Sequence, residues 1–90
     1  MKNYFKTEFR KCYHQLPPYV QKQANRAFEH LVLDPRYPSL QFKCVNHQQA
    51  QYSIRINKKG YRALGYMEEG EMHWYWIGGD HHEYERKIRG

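Results

Sequence analysis

The sequence predicts an α+β fold: two N-terminal helices packed on one face of a four-stranded antiparallel sheet, with a short C-terminal helix. Three observations predict it. Apolar residues recur at a helical period early in the chain, the period then falls to two, and short turn signals separate the alternating runs.

The first helical stretch runs from Phe5 through Phe9, Cys12, Tyr13 and Leu16, with Lys6, Arg10 and Lys11 facing out. "LPP" closes it, because Pro17 and Pro18 cannot continue a helix but can open one. The second places Val20, Ala24, Ala27, Phe28 and Leu31 on one face and Lys22, Gln23, Arg26 and Glu29 outside. It stops before "DPRYPS", where Asp34-Pro35 and Pro38 force an irregular connection. Alternation then takes over. "LQFKCV" sets Leu40, Phe42 and Cys44 against Gln41, Lys43 and Val45, and "QYSIRIN" sets Tyr52, Ile54 and Ile56 against Ser53, Arg55 and Asn57. "NKKG" turns the chain into "YRALGYM" and "EEGE" turns it into "MHWYWIG". Trp74 and Trp76, two apart on one strand, are expected to share a face in the core. Asp80 suits the N-cap of a last helix reaching Ile88. The sheet face opposite the helices is expected to display Arg55 and Arg62.

Ninety residues suit one domain, residues 1–90, with a modest core filled by nine Tyr, four Phe and two Trp. Cys12 and Cys44 lack CxxC spacing and are read as reduced thiols. No apolar run is long enough to span a membrane, and "MKNYFKTEFRKCYHQL" lacks the apolar segment of a signal peptide, so a cytoplasmic protein is expected. Fifteen Lys and Arg against nine Asp and Glu give a net charge of +6, which suits an anionic partner such as nucleic acid or an acidic protein.

The chain's end, "WIGGDHHEYERKIRG", gathers proton-transfer groups directly after the Trp-rich strand. Gly78 and Gly79 are expected to let the chain turn sharply, so that the last helix returns over the open sheet face and Ile88 pins it. Asp80 beside His81 and His82 does not make a metal site, since neighbouring histidines rarely face one ion. "DHH" also occurs in phosphoesterases, but the other acidic metal motifs of that fold are missing.

Three stretches in order, "LPPYVQKQANRAFEHLVLDPRYPSLQFKCV", "YSIRINKKGYRAL" and "WYWIGGDHHEYERKI", resemble the RelE/ParE superfamily of bacterial toxins, in its short RelE-like branch. The resemblance covers nearly the whole chain. It implies the toxin of a type II toxin–antitoxin module: a metal-independent, cofactor-free endoribonuclease that cuts mRNA in the ribosomal A site and inhibits translation. A cognate acidic antitoxin silences it, and no homo-oligomer is required. Such cleavage needs a base for the 2′-OH proton, an acid for the leaving 5′-oxygen, and cations facing the phosphorane charge.

By this resemblance Arg62 lies on the scissile phosphate and Arg55 assists, with Lys43, Lys58 and Lys59 as further phosphate-binding residues. His81 or His82 is the general acid/base, because an imidazole exchanges protons near neutral pH. Tyr84 stacks on a base, orients it, or shares the proton transfer. Ser53 stands where ribonuclease relatives carry a lysine. Structural roles are the alternatives: Arg55 and Arg62 paired to Glu83 or Glu85, Tyr84 anchoring the helix, both histidines merely solvated. The second functional reading is a non-nuclease member of the same fold, a gyrase-type poison or an inactive antitoxin-binding protein.

Overall fold

The computed structural model describes residues 1–89. Strand β1 (Asn3–Phe5) leads into helices α1 (Thr7–His14) and α2 (Pro18–Leu33). A 3₁₀ turn over Pro38–Leu40 precedes β2 (Lys43–Asn46), β3 (Gln51–Arg55), β4 (Arg62–Glu68), β5 (Glu71–Gly78) and helix α3 (His81–Arg89). Pro18 opens α2, using the position where a missing N–H costs nothing.

The α+β class holds, but the sheet has five strands, ordered β1-β5-β4-β3-β2, and is mixed. The meander β2 to β5 is antiparallel as expected, whereas β1 joins parallel to β5 with Asn3 opposite Met72 and Phe5 opposite Trp74. Phe5, expected to open the first helix, therefore lies in a strand. It still packs where the helical period placed it, with its ring 5.0 Å from those of both Phe9 and Phe28. Phe28 in turn meets Trp74 edge-on at 5.2 Å. This aromatic cluster joins Val20, Ala24, Ala27 and Leu31 of α2 to Ile54, Ala63, Met72 and Ile77 of the sheet, forming the core between helices and sheet.

The two tryptophans do not share a face. Leu64 pairs with Trp76 and Gly65 with Trp74, so Tyr75 is the extra residue of a β-bulge. A bulge shifts the alternation by one position. Trp74 consequently belongs to the core under α1 and α2, while Trp76 lies on the opposite face with Gln51, Ser53 and Leu64, all buried. That face is roofed by α3. No helix of the described residues is long and apolar enough to cross a membrane.

Candidate functional site

The roof over the sheet is fastened from end to end. At its start Asp80 Oδ1 accepts the backbone N–H groups of His82 (2.9 Å) and Glu83 (3.2 Å), as an N-cap does. The hydrogen bond from the Glu83 amide, then that from His82, holds the Asp80 carboxyl below its ordinary pKa. In the first turn Trp76 Nε1 donates to Glu83 Oε1, and the Tyr84 hydroxyl donates to Ser53 Oγ at 3.1 Å. At the far end the Gln51 amide donates to the Lys87 carbonyl (3.0 Å) and Asn46 Nδ2 to the Ile88 carbonyl (3.2 Å). These side chains satisfy carbonyls that a helix end leaves without partners. Gln51 also bonds the hydroxyl of Tyr75, whose phenol burial pushes well above its usual pKa. Ile88, expected to be the pin, is only half-buried and lies outside the core cluster.

The chain bends at Gly79 as it leaves β5, but left-handed backbone is not what the two glycines supply. Neither has a positive φ, the conformation that glycine favours. A Cβ on Gly78 would stand 2.8 Å from the Trp76 ring, and one on Gly79 2.9 Å from the Tyr61 ring. Bare backbone is needed here for close approach to two aromatic rings.

Under this roof Arg62 sits half-buried at the start of β4, its guanidinium carbon 5.7 Å from the centre of the Tyr84 ring. Its Nη1 is buried and has no hydrogen-bond acceptor. Among the described residues no acid pairs with it, since Glu83 is engaged by Trp76 and the ion pairs present are Arg36–Asp34 and His73–Glu68. Arg55 lies directly opposite Arg62 in the β3–β4 register and spends its Nε on the Ser39 carbonyl, 3.3 Å away. Like charges facing each other across a sheet destabilise it. Two arginines at one register position, neither in an ion pair among the described residues and one carrying a buried empty donor, make a ready seat for an anion with paired oxygens.

The other candidates divide. His81 lies parallel to Tyr84 at 6.2 Å between ring centres, and the Trp76 ring is tilted against Tyr84 at 6.0 Å. His82 is exposed, and its backbone, not its imidazole, makes the contact with Asp80. Lys43 is exposed and opposite Ser53 in register. Lys58 and Lys59 lie beyond β3, Lys59 with its ammonium 5.2 Å over the Tyr19 ring. The structure thus gathers Arg62, Tyr84 and His81, sets Arg55 opposite Arg62 in register, and leaves His82, Lys58 and Lys59 outside that group. Ser53 and Glu83 were missed as the groups that orient Tyr84 and α3. A small polar residue inside an otherwise Tyr/Ile/Arg strand was the available signal for Ser53.

No family model and no curated protein sequence matches the chain. Solved structures do. RelE in the RelB–RelE antitoxin–toxin complex of Methanococcus jannaschii superposes with a TM-score of 0.73 at 15% identity, covering 92% of this chain and 96% of the other. A mutant of E. coli toxin RelE in the free state gives 0.70 at 15% identity, covering 97% and 90%. The chain has the RelE fold. A YoeB/ParE toxin from Agrobacterium tumefaciens shares it, with a TM-score of 0.69 at 10% identity and coverage of 90% and 100%. On this RelE fold, Arg62, Arg55 and the α3 residues His81 and Tyr84 occupy the sheet face opposite α1 and α2.

Proposed function

We propose that this protein is the toxin of a toxin–antitoxin pair and that it cleaves mRNA on the ribosome, with the Arg62–Tyr84 site as its catalytic centre. The observation that carries the reading is the buried, unpartnered Nη1 of Arg62, facing Tyr84 and opposed by a second arginine. A half-buried guanidinium without a counter-ion is costly to maintain, and an RNA phosphate supplies the missing acceptor. The likeness to RelE structures, some held in complex with RelB antitoxin, supports the toxin role and an antitoxin partner.

In this reading the 2′-oxygen attacks the adjacent phosphorus while the bond from phosphorus to the 5′-oxygen breaks. The products are a cyclic 2′,3′-phosphate and a free 5′-hydroxyl. The 2′-OH proton leaves to a base, and the 5′-oxygen takes one from an acid. His81 is the better placed histidine for proton transfer, because its ring lies along Tyr84. Tyr84, held by Ser53 and flanked by Trp76, orients the bound nucleotide or shares the proton transfer. Arg62 faces the charge that grows on the phosphorane oxygens. No metal enters the scheme.

The test is induction of the wild-type protein in cells, followed by mapping of new mRNA 5′ ends. Cleavage within codons, lost on Arg62→Ala, is expected. Growth arrest with intact mRNA would instead assign a non-nuclease toxin of this fold.

A further inference from the structure

A small pocket of ≈ 170 Å³ lies at the end of β3, away from the α3 roof. Arg26 and His30 reach it from α2, Ser39 from the 3₁₀ turn, and Arg55, Asn57 and Lys58 from the end of β3 and the following turn. Three cations line it and no acidic residue does. Arg55 is fixed by its bond to the Ser39 carbonyl, and Asn57 by bonds to Gln23 (2.8 Å) and to the amides of Lys59 (3.0 Å) and Tyr61 (3.2 Å). The turn that carries Lys58 is therefore braced against α2. Neither Arg26 nor Lys58 forms an ion pair among the described residues. The pocket is cationic, its Arg55 and Asn57 are held in place, and it has room for a small anion.

Its position says which polymer brings that anion. Arg55 is shared: it lines the pocket and also stands directly opposite Arg62 in the β3–β4 register. Facing residues of an antiparallel pair have Cα atoms roughly 4.5–5.5 Å apart. Two anion seats so close in register match a chain with regularly spaced phosphates, tracked by a line of cations.

We infer that this pocket is a second phosphate subsite, in which Arg26, Arg55 and Lys58 hold an RNA phosphate neighbouring the one on Arg62. The inference rests on the RNA-cleaving reading of Arg62. It adds a contact from α2, a helix with no part in that site. The shared chemistry is an RNA phosphodiester, supplied either by the message or by ribosomal RNA.

The experiment compares wild type with the Arg26→Ala/Lys58→Ala double variant. Both residues are exposed, so the core is untouched, and equal thermal melts confirm it. Binding is measured over a salt series to two probes: a short single-stranded RNA made uncleavable by 2′-O-methylation, and ribosomes with an empty A site and no message. Removal of two contacts should make the slope of log K against log salt shallower by about 1.4 and weaken binding on the order of tenfold or more at low salt. The Arg26→Lys/Lys58→Arg protein should recover both. A loss on the oligonucleotide identifies the message as the source, and a loss confined to ribosomes identifies ribosomal RNA. Wild type that binds RNA, with an unchanged slope in the double variant, overturns the subsite and leaves the Arg62 reading intact. Wild type that binds neither probe overturns both. A double variant that loses binding only to a polyglutamate peptide shows a seat for an acidic protein and also overturns the proposal.

Discussion

Arg62 is placed where its charge is expensive and its hydrogen-bonding capacity unspent, and this sets its mutational signature. Its partner across the strands is another arginine and its lid is the ring of Tyr84. Arg62→Ala should abolish growth inhibition and mRNA cleavage while leaving the thermal melt within a few degrees of wild type. No ion pair is lost among the described residues, and a repulsion is relieved. A melt that collapses would make Arg62 structural and the site misplaced. The residues proposed for proton transfer carry a graded expectation. In single-turnover cleavage of A-site mRNA, His81→Ala should lose roughly 10²–10⁴ in rate, the span of general acid–base catalysis. His82→Ala should lose less, since it is the His81 ring that stacks on Tyr84. Tyr84→Phe separates orientation from stacking: it keeps the ring but drops the bond to Ser53. If all three proteins cut at the wild-type rate, the catalytic groups lie elsewhere.

At the scale of elements, two tryptophan N–H groups tie down the two ends of the chain. Trp74 Nε1 donates to Asn3 Oδ1 at 2.8 Å and so fastens β1, while Trp76 Nε1 donates to Glu83 and fastens α3. Trp→Phe at either site keeps most of the packing and loses one bond, worth about 1 kcal/mol. Trp76→Phe should speed hydrogen exchange in α3 and leave β1 alone, and Trp74→Phe should do the reverse. Identical exchange in both variants would refute this division. Asp80 adds a pH dependence to the same helix. Its pKa is lowered in the fold from 3.8, so the stability it lends is complete above that value and is lost as pH falls below it, through the folded pKa. Exchange in α3 should therefore rise on acidification below about pH 4. An Asp80→Asn protein, which keeps the cap but does not titrate, should lose that added rise; its persistence would locate the pH sensitivity elsewhere. How much of this was legible depends on range. The helical faces of α1 and α2 and the order of the four-strand meander are local patterns and hold, although Phe5 falls in β1 and Leu40 in the 3₁₀ turn ahead of β2. The pairing of β1 with β5 joins residues from opposite ends of the chain, and three residues hold no readable period. The bulge at Tyr75 reverses Trp76 without leaving a mark in the alternation. The pins from Gln51 and Asn46 end on backbone carbonyls, which no side-chain pattern announces. The return of the tail over the arginine face was readable from the order of its residues. The uncovered donor of Arg62 was not, because it depends on Trp76 engaging the Glu83 carboxylate and on the helix cap engaging that of Asp80.

Over the whole molecule the charge is almost entirely unspent. The chain carries +6, and the ion pairs among the described residues are Arg36–Asp34, exposed, and His73–Glu68 at 4.0 Å. Surface pairs of this kind contribute little to stability, so the excess cations repel one another and serve encounter more than folding. In the proposed reading an acidic antitoxin would relieve that repulsion on binding, and the same field would draw it in. The product of a small acidic neighbouring gene, co-expressed with this protein, should co-purify with it in defined stoichiometry and protect cells from it. The association rate should fall steeply between low and high salt, because charges beyond about 10 Å are screened at 0.1 M. The dissociation rate should move less, since desolvated contacts at the centre of an interface are screened least. Stopped-flow binding over a salt series separates the two rates. A rate of association that ignores salt would mean that shape and apolar contact alone select the partner, and the basic surface would then belong to RNA.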